Sequence, residues 1–462
     1  MRFLDRLKVL LREPQGFFLA VSLIFGGIFL LIIPPLQTPD ESSHFLRVYQ
    51  LSQFHLAPTI QDNIVGGELP RSLSKTIKLL DTNPSLRFHA ETKYDIHRTA
   101  EVLHMPLNKQ DTMFTSGVTG YAPVGYIPQS IGVFLGSLIN LPAIVLMYIA
   151  RLMSLLVWIA LIFTAITIVP YRKWAFVAVG LLPMLVAQAV SPGIDAMSIG
   201  LGVLFIASVL FLRTKTRIPT KWWVGLLVIA CLIALTKQTT ILVLGFVFLL
   251  KLSQFDTKRW KSYLKKALLL LLPAFLLVGW SLVSLSVESP VPGQDSGAQL
   301  SNIIHTPLRL PQVLFNTFFT TWGDDVVRSL IGNFGWIDTP LAGGIVAIGY
   351  IFIAAILFIG YESINKKLSR IHKILLLLLT FLYVIGTCTA LYLLYSPVNF
   401  DVIYGLQGRY FLLVLFMLIP VFAVTSIKMP RKSYIKLVRI GSLFLIVASA
   451  LTIYLRYYVE LF

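Results

Sequence analysis

The residues of this chain best suited to do chemistry together are two acids and two cations, each set in a short polar stretch between apolar runs. Asp40 stands in Thr38-Pro39-Asp40-Glu41-Ser42-Ser43-His44-Phe45-Leu46-Arg47. Locally this spells a helix start, with Thr38 as N-cap, Pro39 at the first helical position and Glu41 completing a capping box. That reading leaves over Asp40, His44 and Arg47, which recur on one face at helical spacing. A carboxylate, an imidazole and a guanidinium there suit deprotonation of a hydroxyl or binding of a phosphate. Asp195 opens an apolar run after the turn Ser191-Pro192-Gly193-Ile194, and reads equally as a helix-capping acid or as an acid facing an outer cavity. Lys237 lies in a turn between two apolar segments, where it either snorkels or offers a cation to an anionic headgroup. Arg409, in Gln407-Gly408-Arg409-Tyr410-Phe411, offers a guanidinium suited to bidentate phosphate binding, or an interface anchor with Tyr410 in an aromatic belt.

Other stretches carry weaker signals. Tyr121, Tyr126 and Gln129 fall in Tyr121-Ala122-Pro123-Val124-Gly125-Tyr126-Ile127-Pro128-Gln129, whose aromatics also suit a helix floating at an interface. Asp324 and Asp325 follow Trp322-Gly323 and read as a ligand for metal or sugar hydroxyls, or as a solvated acidic pair. Arg151 lies inside an apolar run and needs a partner. His89, His97 and His104 are irregularly spaced in a polar loop and read as surface. Cys231 and Cys388 both sit in apolar runs and read as small buried hydrophobes. No Cys-x-x-Cys or His-Glu-x-x-His spacing occurs.

The elements that must position these residues follow from composition. The 462 residues are 56% hydrophobic and 13% charged, against about 45–50% and about 25% in soluble domains. The apolar excess comes in runs long enough to cross a bilayer, which excludes a disordered chain, a disulfide scaffold and an ordinary soluble enzyme. The expected fold is an all-α polytopic membrane protein, a single membrane domain over 1–462 with its N-terminus cytoplasmic. Eleven spans are expected, at 17–33, 143–169, 174–190, 194–212, 222–236, 239–252, 267–287, 341–360, 374–395, 410–427 and 440–458. Basic clusters in the N-tail (Arg2, Arg6, Lys8, Arg12), at 172–173, 213–221, 251–266, 366–373 and 428–439 fix that count by the positive-inside rule. The apolar segment 123–139 is then a helix on or dipping into the outer surface. The stretch 222–250 is a hairpin of two short helices of about 15 residues, about 22 Å each. They fall short of a hydrocarbon core of about 30 Å, so Lys237 sits recessed. Two larger extracytoplasmic regions remain: 34–140, expected to carry small surface helices, and 288–340. No inverted repeat of the kind that builds many transporters is visible.

The net charge of +18 resolves on this map. The segments placed in the cytoplasm hold 25 of the 39 Lys and Arg and 4 of the 21 Asp and Glu, a balance of +21; the remainder carries −3. The charge is a topology signal, and nucleic acid is not expected as a partner. Asp40, Asp195, Lys237 and Arg409, distant in the chain, all fall at or just below the outer face.

These residues together resemble an uncharacterised family of bacterial multi-pass membrane proteins, itself similar to the GT-C superfamily of glycosyltransferases. The resemblance rests on Pro39-Asp40-Glu41-x-x-His44, Tyr121-x-Pro123-x-x-Tyr126-x-Pro128-Gln129, Pro192-x-x-Asp195-Ala196, Lys237 and Gln407-Gly408-Arg409-Tyr410-Phe411. It implies a GT-C-like membrane enzyme using a polyprenyl-phosphate sugar on the extracytoplasmic side of the bacterial cytoplasmic membrane. The sugar would pass to an envelope glycan, polymer or lipid. Asp40, with Glu41 beside it, would be the catalytic acid of the first outer loop. Lys237 and Arg409 would bind donor phosphate, and His44, Arg47, Tyr121, Tyr126, Gln129, Asp195, Asp324, Gln407 and Tyr410 would line the substrate side. No cofactor is required by this reading, and a divalent metal stays open. The chain departs from the family where prolines are expected after the lysine, with Gln238-Thr239-Thr240 instead. The rival expectations are a transporter or flippase of a lipid-linked saccharide, which calls for ionisable residues near the midplane and groups opening to both faces, and a non-catalytic partner in envelope assembly.

Overall fold

The first apolar run folds as the helix Pro14–Ile32, and Pro34-Pro35 end it, since proline lacks the N–H the next turn needs and disfavours helical backbone before it. The computed structural model describes residues 11–460 apart from 58, 62–63, 82–85, 90, 117–119, 285–290, 322, 363–366 and 425–426. Arg2, Arg6, Lys8, Glu288, Trp322 and Lys366 lie outside the described residues.

The protein is mostly helical, and among the described residues six helices are long and apolar enough to cross a membrane: Pro14–Ile32, Ala143–Ile168, Asp195–Arg213, Arg259–Val283, Arg370–Tyr395 and Arg431–Tyr458. Four further apolar helices are shorter: Thr220–Ala234, Gln238–Leu249, Gly343–Phe358 and Gly408–Leu418. The run expected as one helix at 174–190 is instead two, Lys173–Gly180 and Pro183–Ala189, because Pro183 cannot continue the first and starts the second. Both pieces are buried, and with Asp195–Arg213 they form the centre of the main core.

The segment 222–250 is the expected pair of short helices, with a difference in the second. Thr220–Ala234 is α-helical, whereas Gln238–Leu249 is a 3₁₀ helix. A 3₁₀ helix rises about 2.0 Å per residue, so 12 residues reach about 24 Å where an α-helix reaches about 18 Å. The apolar segment after Tyr121 forms a 3₁₀ turn, Pro123–Tyr126, and the helix Ile127–Leu138, which lies against Ala143–Ile168.

The region 34–140 is less helical than expected. It contains the helices Glu41–Ser52, Arg71–Asp81 and Ile96–Leu103, and also a three-stranded antiparallel sheet of order β1 (Thr59–Gln61), β2 (Ile64–Pro70), β3 (Thr112–Ser116). Its register pairs Gly66 with Ser116 and Pro70 with Thr112. The β-branched residues at the edges of these strands favour that form. The sheet docks on Glu41–Ser52 through Gln50, whose Nε2 donates to the Gly66 carbonyl at 3.3 Å. Gly67 leaves room for the Gln50 side chain, which a Cβ would displace.

The helix start at Thr38–Glu41 departs from the expected capping box. The helix begins at Glu41, with Asp40 as N-cap in left-handed backbone (φ 61°) and no side-chain cap. Glu41 turns inward instead and pairs with Arg151, fully buried, with Arg151 Nη2 at 2.7 Å from Glu41 Oε2. A buried guanidinium needs a carboxylate more than a helix end needs a cap, because an unpaired buried charge costs several kcal/mol, about 3–5 when one partner is removed, against about 1 for a cap. Arg151 also donates to the carbonyls of Ile33 and Pro34, at 2.8 and 2.9 Å, at the proline stop. One side chain in the Ala143–Ile168 helix thus fixes where the first helix stops and the next starts. Residues from 291–340 close over the same end: Trp336 Nε1 donates to the Leu36 carbonyl at 3.1 Å, and Asp338 accepts from the Phe88 N–H at 3.0 Å and from Arg456 at 3.4 Å.

Candidate functional site

A small polar cleft opens at this end of the bundle, and Asp40, Asp195, Lys237 and Arg409 all line it. The residues that share an expected depth therefore meet in three dimensions. Each arrives on a different element. Asp40 stands at the head of Glu41–Ser52, exposed to the cleft, with His44 one turn on and its N–H bonded to the Asp40 carbonyl at 3.1 Å. Asp195 opens the buried helix Asp195–Arg213, after a turn in which the Gly193 N–H donates to Ser191 Oγ at 3.3 Å. Lys237 precedes the 3₁₀ helix Gln238–Leu249. Arg409 lies in the 3₁₀ turn Gly408–Phe411. Gly408 is required there: a Cβ would collide with the backbone of Val326 and Leu330, and the Gly408 N–H is held at 2.7 Å by Ser329 Oγ.

The charges inside the cleft are not equivalent. Lys237 Nζ is 2.8 Å from Asp195 Oδ1 and stands 4.3 Å from the centroid of the Tyr410 ring. That pair is internally neutral and built as a unit. Asp40 makes no ion pair among the described residues. Arg409 is 7% exposed, and its contacts are long and neutral: Gln188 Oε1 at 3.3 Å and Tyr410 Oη at 3.4 Å. Its Nε has no hydrogen-bond partner among the described residues. A guanidinium carries five donors, and one held this far from water by neutral groups retains capacity for an anion.

His44 is held by Tyr126, with Nδ1 and Oη 2.7 Å apart, and stacks beside Tyr121 at 6.2 Å. Burial is the largest influence on its imidazole and lowers its pKa below the ordinary 6.5; Arg409 and Lys237 act in the same direction, and Asp40 and Asp195 oppose them. The imidazole is therefore neutral at pH 7. The Tyr121 phenol is pushed far up by Tyr395 and by burial, so it stays protonated and can donate.

The remaining expected site residues fall elsewhere. Glu41 is withdrawn into the Arg151 pair and does not line the cleft. Arg47 leaves the face of Asp40 and His44; it is buried, and it donates to Gln50 Oε1, to the Leu56 carbonyl and to the Tyr121 carbonyl at 3.4 Å, bracing the region 34–140. Burial lowers its pKa to about 10, which leaves it charged at neutral pH. Gln129 is fully buried, neither amide atom has a partner among the described residues, and nothing in the structure explains it. Tyr126 stands behind His44 rather than in the cleft, Gln407 contributes its carbonyl to Tyr410 N–H at 3.2 Å, and Tyr410 lines the cleft. Asp324 is exposed and paired with Arg328 at 2.6 Å. His89, His97 and His104 are exposed. Among the described residues no group of three His, Cys, Asp or Glu side chains is placed to hold a metal ion. Gln188 and Ser191 line the cleft without having been singled out from sequence. Gln188 had a signal, as the one polar side chain in the apolar run 174–190.

No curated protein and no solved structure matches this chain. A family model described as predicted membrane protein (DUF2142) matches residues 23–419, which include every residue lining the cleft. The cleft is thus a feature carried on the matched region of a membrane protein with several helices long and apolar enough to span, and the chain belongs to the DUF2142 family of predicted membrane proteins.

Proposed function

We propose that this chain is a glycosyltransferase of the bacterial cytoplasmic membrane, similar to GT-C enzymes, that moves a sugar from a polyprenyl-phosphate donor to an envelope glycan, polymer or lipid. The observation that carries this reading is the pairing, in one cleft, of an uncommitted carboxylate on Asp40 with a buried guanidinium on Arg409 that has donors to spare. The proposed topology has eleven spans with the N-terminus inside, which puts the cleft at the outer face, recessed below it by the short helices on either side of Lys237.

In the proposed reaction Asp40 takes the proton of the acceptor hydroxyl. The hydroxyl oxygen forms a bond to the anomeric carbon, and the bond from that carbon to the phosphate oxygen breaks. The electron pair leaves on the polyprenyl phosphate, where Arg409 stabilises it and Lys237, shared with Asp195, adds to the field. His44 and Tyr121 offer neutral hydrogen bonds to sugar hydroxyls. Glu41 has no part in this scheme.

Reconstitution in vesicles with a labelled polyprenyl-phosphate sugar separates this proposal from a carrier. The enzyme yields a labelled acceptor and free polyprenyl phosphate. Movement of the intact labelled lipid between leaflets, with no transfer, would make the protein a flippase and end the enzyme reading.

A further inference from the structure

Three helices of 12 to 19 residues end at the cleft, and all three present their first residues to it. Asp40 is the N-cap of Glu41–Ser52, Ile194 that of Asp195–Arg213 and Lys237 that of Gln238–Leu249. None of the three has a side-chain cap. The first N–H groups of a helix have no partner within it and lie along its axis toward its start. Two of these helices run side by side: Lys237 Nζ meets Asp195 Oδ1 at 2.8 Å, and three residues further along each chain Ser198 Oγ and Thr240 Oγ1 are 2.7 Å apart. They leave the cleft in one direction, so their dipoles add there. Of the shorter pieces, Gly408–Leu418 starts at the cleft and Pro183–Ala189 ends there with Gln188, and these two offset one another.

The side-chain charges of the cleft sum to zero, Asp40 and Asp195 against Lys237 and Arg409, with His44 neutral. The helix starts therefore decide its sign. Each is equivalent to about half a positive charge, so the three together supply about +1.5. A phosphate monoester carries about −1.5 to −2 at pH 7. A phosphodiester has one ionisable oxygen and stays singly charged. Arg409 is an independent mark of an anionic ligand at the same place: it is buried, its Nε has no hydrogen-bond partner among the described residues, and it lines the cleft.

We propose that the cleft fits a phosphate monoester dianion better than a singly charged diester, with Arg409 and the three helix starts holding the extra charge. This rests on the phosphate reading of the cleft under the proposed function and deepens it. In the proposed reaction the donor is a diester and the departing polyprenyl phosphate is a monoester. The cleft then favours the leaving group over the intact donor, the ordering that assists cleavage of the bond to the anomeric carbon. The same preference makes free polyprenyl phosphate an inhibitor that occupies the cleft.

Calorimetric titration of the full chain in neutral detergent at a pH of about 8, where the monoester is fully ionised, with methyl phosphate and with dimethyl phosphate tests it. Sulfate and methyl sulfate repeat the comparison of dianion and monoanion on a different central atom. The expected result is saturable binding of methyl phosphate, about tenfold or more tighter than dimethyl phosphate, with sulfate above methyl sulfate in the same order. Arg409→Gln should weaken methyl phosphate by about tenfold or more, and Lys432→Gln, an exposed cation elsewhere, should leave it unchanged. The comparison within the wild type needs no variant, so a misfolded variant does not remove the test. Failure of methyl phosphate to bind, equal or tighter binding of dimethyl phosphate, or an equal loss in Arg409→Gln and Lys432→Gln would each overturn the assignment. No sugar moves in this experiment. A flippase with the monoester preference would end the transfer reading and leave this one standing, and a transferase that prefers the diester would do the reverse.

Discussion

At the scale of residues, the cleft depends on what each charge is already doing. Lys237 and Asp195 answer one another, whereas Asp40 and Arg409 have no ion-pair partner among the described residues, and in the proposed reaction it is these two that act directly. Sequence located all four but gave no way to see the division, which depends on distances between residues more than 40 positions apart in the chain. It also misplaced Arg47 and Glu41. Spacing within a helix puts Arg47 on the Asp40 face, but the loop carbonyls of Leu56 and Tyr121 that draw it away come from outside that helix. His44 gives a pH signature. Its folded pKa is depressed, so its contribution to stability is present above 6.5 and is lost as the pH falls from 6.5 through the depressed value. Thermal unfolding of the purified protein should therefore show a lower midpoint on the acid side of that window. The His44→Gln protein should lose that part of the slope; an unchanged slope would take His44 out of the account.

At the scale of elements, one buried pair sets the geometry on which Asp40 depends. Arg151 reaches from the Ala143–Ile168 helix to Glu41 and to the carbonyls of Ile33 and Pro34, so the link between the first two helices is held from a third. Arg151→Met leaves Glu41 buried and unpaired and should destabilise the protein by about 3–5 kcal/mol. Adding Glu41→Leu should recover most of that loss, because an apolar pair of similar volume removes the stranded charge. Denaturant titration of the three proteins checks this, and equal stability of single and double variants would contradict it. The need of Arg151 for a partner was legible in an apolar run; the identity of the partner was not, since local spacing made Glu41 look like a capping residue. The apolar helices were legible from their runs, and the break at Pro183 had its own signal in the proline. The sheet within 34–140 was not, because β3 joins the neighbouring strands β1 and β2 from about 40 residues further along the chain and only that pairing defines it. The 3₁₀ winding of Gln238–Leu249 likewise has no compositional mark, although the hairpin that contains it does.

At the scale of the whole molecule, charge asymmetry and the cleft point to one orientation. The basic stretches lie at the end of Asp195–Arg213 that carries Arg213, and the cleft lies at the other end. In the proposed topology a cysteine introduced at exposed Lys75, in the first outer region, reacts with an impermeant maleimide on intact cells, and one at exposed Thr216 reacts only after the membrane is opened. The native Cys388 is buried and Cys231 half-buried, which keeps the background low. Labelling of Thr216→Cys in intact cells would invert the map and move the cleft to the other face. The functional proposal itself turns on a single carboxylate. Asn tolerates the left-handed backbone at position 40 nearly as well as Asp, so Asp40→Asn removes the base while leaving the helix start intact. The most direct measurement is the rate of sugar transfer from labelled polyprenyl phosphate by wild-type and Asp40→Asn proteins in vesicles, with donor binding measured alongside. The account predicts that donor binding is kept and transfer falls by about 10²–10⁴-fold, the usual contribution of a positioned base. Transfer by Asp40→Asn at the wild-type rate would contradict it.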